Sequence, residues 1–506
     1  MGRFARKLCT AALLVVSQPS HSIASPNVEL DEPVYEELTT LQALGRLPLY
    51  MGGLRPLTER RVHELLASAG SPPTEPADDG FWLRPLRRAK LVLAAMREQE
   101  RAYSTSVRPR DLVGGVNISC EHREGDPCGD GVGAFTQLDS SAGYGEWVSG
   151  SLRLLLVGGT DRYDAQIAVD RGYLLSELGP VAVEVGRDAF SLGPSSRTQL
   201  GWGDHAPAID HVRISTARPI ELLPALRANA LYALGILREP QRYPGNVVSI
   251  IRGQLDIVDR VELGIMQQIQ MLGEGAPGLS VGEFLLEHFR RGNASAGADD
   301  TSNRRFGGDL AFHVPDLHAR FYYALMFEDI RRKRFIDAVR YDADHLFGVE
   351  VAALGANHDH AFIVEWHTTG VRSHEHVPRT TGFTNAGNVV GSPLGPDSTS
   401  IFAGARINLG WSTLSPWLEL TQHSSDTYTF VVDGPISRAT RGVTETRYRA
   451  GARLRAPLTE RLWCEGQLLL EHVESAGFMD GHRDDNFGIV GALVWHPEWR
   501  FATSPL

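Results

Sequence analysis

Four arginines stand at alternate positions in RYRAGARLRAPLTERLWCEGQLLLEHVES, residues 447–475: Arg447, Arg449, Arg453 and Arg455. Guanidinium groups spaced in this way suit carboxylates, which they hold through paired, charge-assisted hydrogen bonds. Two kinds of partner are open to them. They can take uronate or other acidic groups of a sugar polymer, or they can pair with Glu465 and Glu471 of the same chain. Pairing suits the buried members, and ligand binding suits those nearer a rim.

Other chemistry-bearing residues cluster further upstream. His345, His358, His360, His367, His374 and His376 lie among Asp342, Asp344 and Glu375. Histidine and carboxylate groups can hold a metal, but a strand crossing separates His345 from His374, so the set reads as polar residues divided between a rim and loops. GPSSR, residues 193–197, reads either as an anion-binding turn or as a bend set by its glycine and proline. Asn385 and Asn388, in GFTNAGNVVG, and Arg320 are further candidates for hydrogen bonds to sugar. No H-E-x-x-H helix is present, and GLSVG at 278–282 lies within a long connection rather than at a strand-to-helix elbow. The reading is of a protein that is not an enzyme and needs no cofactor or metal.

The arginines fix the elements that must carry them. With Tyr448, Ala450, Ala452 and Leu454 between them, a strand puts every arginine on one face and every apolar side chain on the other. Glu465, Gln467 and Glu471 follow with matching parity, so register should bring them beside the arginines. The same split recurs elsewhere. Val247, Ile251, Leu255 and Ile257 oppose Arg252, Gln254 and Asp256; Phe321, Tyr323 and Leu325 oppose Arg320 and Tyr322; Phe487, Ile489 and Leu493 oppose Asn486 and Ala492. Charge on a lipid-facing wall costs about 2–4 kcal/mol near the midplane, so the arginines are expected to face a lumen.

Eighteen segments read as strands: 113–119, 133–139, 147–157, 163–170, 181–187, 209–216, 226–237, 247–257, 261–271, 304–314, 317–328, 345–354, 359–369, 399–409, 414–424, 445–456, 461–473 and 486–496. From residue 238 onward their connections alternate between long and short. The long ones are 238–246, 272–303, 329–344, 370–398, 425–444 and 474–485; the short ones are 258–260, 315–316, 355–358, 410–413 and 457–460. An outer-membrane barrel keeps this rhythm, with short periplasmic turns and long extracellular loops. A helix is expected at 281–291 within one long connection.

The chain begins differently. Residues 1–24 have a basic start, an apolar run and small residues near Ala24, the layout of a signal peptide. Its removal takes Cys9 with it and leaves Cys120, Cys128 and Cys464. Cys120 and Cys128 can close a small loop as a disulfide in an oxidising compartment, or all three can stay reduced. Residues 34–104 read as helical, with Thr58 as an N-cap, Gly70 as a stop and a Pro/Asp/Gly linker at 71–80. The domains expected are therefore a helical bundle over 26–104 on the periplasmic side and a barrel over 110–501. A net charge of −11 argues against nucleic acid as the main partner.

GRDAFSLGPSSRTQLGWGDHAPAIDHVRIS (186–215), RRFGGDLAFHVPDLHARFYYALMFEDI (304–330) and EWHTTG with GFTNAGNVVGSPLGPDS (within 365–398) resemble the Wzi family of capsule assembly proteins. The resemblance implies an eighteen-stranded outer-membrane β-barrel with an N-terminal helical bundle. It also implies a lectin-like role, attaching capsular or extracellular polysaccharide to the cell. Lipids of the outer membrane and the barrel-insertion machinery are the other partners expected, and the state a monomer. One departure is the ending FATSPL, which runs past the aromatic Phe501. The alternative functions are a passive channel for small solutes, which needs an open lumen, and a hydrolase, which needs a Ser/His/acid set not found at convincing spacing.

Overall fold

The computed structural model describes residues 25–30, 33–47, 50–69, 104–114, 132–144, 148–159, 166–289, 302–328, 335–355, 360–374, 379–430, 436–459 and 462–495. Eighteen long strands form one antiparallel sheet. They are β1 Ser104–Gly114, β2 Val132–Tyr144, β3 Val148–Gly159, β4 Gln166–Leu178, β5 Val181–Asp188, β6 Ile209–Thr216, β7 Leu226–Ile236, β8 Val247–Ile257 and β9 Val261–Met271. There follow β10 Asn303–Val314, β11 Ala319–Phe327, β12 Ala343–Leu354, β13 His360–Thr368, β14 Ser398–Asn408, β15 Thr413–Ser424, β16 Thr444–Thr459, β17 Leu462–Glu474 and β18 Arg483–Trp495. Each pairs with its sequence neighbours, and Ile220–Leu223 prolongs the edge that β6 presents to β7. β1 also pairs with β18, with Leu112 opposite Val490 and Val113 opposite Ile489, which brings the sheet round into a barrel.

The period-2 patterns settle the two faces. Ile251, Phe312, Phe347, Trp366, Ile401, Leu418, Leu470 and Phe487 point outward and are exposed. Arg252, Gln254, Asp256, Arg320, Glu365, Glu419, Arg449 and Glu471 point inward and are buried. Arg449 is 5% exposed and its neighbour Tyr448 47%, so the arginine face is the luminal one. An apolar outside over a polar inside is the pattern of a transmembrane barrel. No helix among the described residues is long and apolar enough to cross a membrane.

Most of the strand boundaries expected from the sequence fall within a few residues of those observed; the first and the fourth do not, the fourth running on to Leu178 rather than ending at 170. β1 starts at Ser104 rather than near 113, because Arg108, Pro109, Arg110 and Asp111 mask its alternation. Residue 104 is thus strand, not helix. Two helices precede it, α1 Val34–Ala43 and α2 Glu59–Ala69. The rest of the stretch expected to be helical, 70–103 with its linker 71–80, the signal segment 1–24, Cys120 and Cys128 lie outside the described residues. Cys464 is a free thiol.

The long connections carry structure that their composition does not announce. Thr427–Phe430 pairs with Ile436–Thr440 as a hairpin, and Thr384–Asn385 pairs with Asn388–Val389. The helix expected at 281–291 forms as α3, Val281–Glu287, with Ser280 and Glu283 making a reciprocal capping box. It lies against the outer surface of the wall. His288 Nε2 sits 2.7 Å from the outward Ser249 hydroxyl, and Glu287 pairs with the outward Arg304. Its other side presents Val281, Leu285, Leu286 and Phe289, all exposed. The helix thus hides polar wall positions and restores an apolar surface over them.

Candidate functional site

Two segments enter the lumen from opposite ends. The first is the N-terminal unit at the short-turn end. Val34, Tyr35, Leu38 and Leu41 of α1 pack against Val62, Leu65, Leu66 and Ala69 of α2, with Ala353 of the barrel in the same cluster. Their spacing makes one apolar stripe on each helix. Thr58 caps α2 as expected, its Oγ1 accepting from Arg61 N at 3.3 Å. Polar contacts seat the unit on the wall. Asn27 Nδ2 donates to Glu184 at 2.7 Å and to Asp188 at 3.0 Å, and Gln42 Nε2 donates to Glu262 at 2.8 Å. Arg406 pairs with Glu36 at 3.2 Å. Burial would raise the Glu36 carboxyl pKa, but the guanidinium groups of Arg406 and Arg455 outweigh it and hold that pKa below its ordinary value.

The second segment is the connection 189–208, at the long-loop end. It turns inward instead of standing out. Phe190, Leu192, Leu200 and Trp202 share an interior cluster with Val248, Met266, Tyr322, Met326 and Leu346 of the wall, and with Phe383 and Val390 of the connection 369–397. The two segments meet: Leu54 pairs with Leu192, Arg55 pairs with Ser191, and Gly193 N donates to Gly53 O at 3.1 Å. Chain therefore runs through the barrel from one end to the other.

Buried ions lock the second segment in place. Arg197 reaches Glu419 at 2.6 Å and Glu365 at 3.4 Å, with its guanidinium 3.9 Å above the Phe402 ring. Glu365 also accepts from Tyr322 Oη at 2.6 Å and from the Ser195 hydroxyl. Ser196 Oγ donates to Glu350 at 2.5 Å. The GPSSR turn does meet anions, but they are carboxylates of the barrel wall. Above it, Arg305 holds Glu328 at 2.7 Å and Asp344 at 2.5 Å and donates to Leu200 O at 3.1 Å, joining the plug to the outer connections.

The arginine ladder divides around Gly451. Register sets Arg449 opposite Glu471, Arg453 opposite Gln467 and Arg455 opposite Glu465. Arg449 Nε donates to Glu471 at 2.7 Å and its Nη1 lies 3.5 Å from Glu419. Arg447 pairs with Glu445 at 2.6 Å. These two are absorbed by the ion network. Beyond Gly451, Arg455 reaches Glu465 at 3.0 Å, as parity required, and Glu36 at 3.7 Å, and with Arg453 it also borders a cavity beside α1. Gly451 itself makes room for Trp417: a Cβ there would lie 2.5 Å from the indole.

The remaining candidates separate. Arg320 is buried and pairs with Glu350 at 3.4 Å. Asn385 is buried too. Its amide donates to Pro207 O at 2.7 Å and accepts from Arg238 N at 2.8 Å, so it ties two connections together rather than meeting solvent. Asn388 is half-buried and donates to Ala386 O at 2.9 Å. Of the histidines, His345 lies on the outer face beside Tyr323, His360 at the short-turn end against Asn408, and His367 and His374 inside. His358, His376 and Glu375 lie outside the described residues. Among the described residues no group of three metal-ligating side chains converges. Sequence reasoning passed over Glu365, Glu419 and Trp417, and took Arg197 only as part of the GPSSR turn. The signal for the two glutamates was available: a single carboxylate at the luminal parity in AFIVEWH and in SPWLELT.

These features define an eighteen-stranded transmembrane barrel whose lumen is filled by its own chain. The chain belongs to the Wzi family: the family model described as capsule assembly protein Wzi matches residues 116–484. No curated protein matches it by sequence. Among solved structures it is similar to Wzi of Escherichia coli, an outer-membrane carbohydrate-binding β-barrel involved in group 1 capsule assembly. The identity is 15%, with 94% of this chain and 99% of that chain covered, and the TM-score is 0.70. Similarity to OprD of Pseudomonas aeruginosa is weaker, at 12% identity over 78% of this chain and 95% of that one, with a TM-score of 0.45.

Proposed function

We propose that this protein binds an acidic capsular or extracellular polysaccharide at the bacterial outer membrane and holds it to the cell without catalytic turnover. In this reading the short-turn end and α1–α2 face the periplasm, and the long connections face outward. The observation that carries it, beside family membership, is the filled lumen. Two segments joined by backbone pairing, and locked by Arg197 and Arg305, leave the long connections as the working surface rather than a conduit. Polymer binding there needs no single strong contact, because each later contact along one chain is effectively intramolecular.

The test is to replace 427–440 of the long connection 425–443 by a tight turn, keeping the strands, since loop length itself costs little and no described residue of that connection belongs to the interior cluster that holds Phe383 and Val390. Cell-attached polymer should fall and free polymer in the medium should rise at unchanged protein level. Unchanged retention excludes that connection as the binding surface; unchanged retention after deletion of the whole gene excludes the anchoring role. A steady conductance of the wild-type protein in planar bilayers would instead favour a channel. A glycan array with the purified barrel would name the polymer class.

A further inference from the structure

The cavity beside α1 has the makings of a second, separate site. It measures about 260 Å³ and lies between α1 and the short-turn ends of β12 to β16. Small-molecule sites commonly span about 300–1,000 Å³, so this one suits a single sugar ring rather than a run of them. Four guanidinium groups line it, those of Arg55, Arg406, Arg453 and Arg455, against two carboxylates, Glu36 and Glu350. Glu350 is engaged by Arg320 and by Ser196, Glu36 by Arg406 and Arg455, and Arg455 also by Glu465.

Arg55 is the most telling of the four. It is 7% exposed, and its Nε and Nη2 donate to the backbone carbonyls of Gly52 at 2.9 Å and Ser195 at 3.0 Å. Among the described residues no carboxylate pairs with it. A buried charge held only by neutral groups is costly, and a bound anion would relieve that cost. The rest of the lining is not that of a bare anion hole. Trp417 and Phe402 border it, their rings 6.0 Å apart and laid flat over Gly451 and Gly404, where a Cβ would collide with them. Thr39, Thr40, Ser196 and Ser415 add hydroxyl groups. A flat aromatic wall suits the C–H face of a pyranose, hydroxyls suit its hydroxyls, and guanidinium forks suit a carboxylate.

We propose that this cavity binds one hexuronate unit, either as the free sugar acid or as the end of an acidic chain. It lies at the opposite end of the barrel from the surface connections and does not depend on what they bind. The test uses the full-length mature protein in detergent micelles, with D-glucuronate, D-glucose and acetate as probes. Calorimetry and indole fluorescence are the readouts. Glucuronate is expected to bind and to change the fluorescence, with glucose and acetate each at least tenfold weaker. Arg453→Gln and Trp417→Phe should each weaken glucuronate at least tenfold while the barrel keeps its heat-modifiable gel migration. A tetra-uronate that competes with glucuronate identifies the chain end as occupant; one that does not identifies the free acid, and either result supports the site. No glucuronate binding, equal binding of acetate, or binding indifferent to both variants overturns the proposal.

Discussion

Replacing Arg197 by alanine should release the inner segment from the wall while leaving the wall intact. Arg197 bridges Glu365 and Glu419, whose side chains are each 1% exposed. Removing one partner of a buried ion pair typically costs about 3–5 kcal/mol, because the other charge is left uncompensated. Here the lower figure applies. Glu365 keeps Tyr322 and Ser195, while Glu419 keeps Ser400 at 2.7 Å and Arg449 at 3.5 Å. A loss of about 3 kcal/mol is roughly a hundredfold in an equilibrium constant. Hydrogen exchange is the assay, since it reads local opening separately from global unfolding. Amides bonded within 191–208 should exchange roughly a hundredfold faster, including that of Leu192, which donates to Trp202 O. Amides of β8 and β9 should not change. Adding Glu419→Gln should recover part of the loss, because a stranded carboxylate is then removed as well. Unchanged exchange in 191–208, or equal acceleration in the wall strands, would refute the latch.

Three further outcomes follow from the same geometry. Gly451→Ala places a Cβ 2.5 Å from the Trp417 indole, so it should cost about 1–3 kcal/mol through overpacking and shift the indole emission; an unaltered spectrum and melting temperature would contradict the packing. Leu418→Arg, at an outward position 63% exposed in mid-strand, should lower stability in bilayers by about 2–4 kcal/mol, whereas an arginine tolerated there without loss would reverse the assignment of faces. His374 is held well below 6.5, first by burial and then by the charge of Arg305, with His367 and His205 acting the same way. A depressed folded value means that docking is fully stable above the unfolded value of about 6.5 and weakens as pH falls below it. Trypsin cleavage at Arg372 and Arg379 should therefore speed up in pre-acidified protein at pH 5.5 relative to pH 7.5, and His374→Gln should abolish the difference.

How much of this could be read in the sequence depended on which physical constraint each residue answers to. Lipid on one side and polar groups on the other force a strict alternation. Strands such as Val247–Ile257 and Val261–Met271 were therefore legible to the residue, and Glu465, Gln467 and Glu471 fell beside the arginines as parity required. β1 escaped because RPRD interrupts its alternation. The inward course of 189–208 was not legible at all. SLGPSSRTQLGWGDHAPA has the glycine, proline and polar content of any surface loop, and what draws it inside is carboxylates on strands some 150 to 220 positions away. The ladder shows the same limit. Parity placed all four arginines in the lumen and Arg455 beside Glu465, but the further carboxylates they meet, Glu419, Glu445 and Glu36, were not legible, nor was the room that Gly451 leaves for Trp417.

The contact between Gly53 and Gly193 bears on how such a molecule is assembled. The seam of the sheet joins residues 104–114 to 483–495, so the wall is completed only when the last strand arrives. Inside it, a segment older than every strand is bonded to another that comes in from the far mouth. Neither can be threaded through a finished ring without undoing the backbone pairing and the buried ions that hold them. The interior and the hoop thus hold each other: the chain's first and last strands close the wall, and the contact inside it ties one mouth of the barrel to the other.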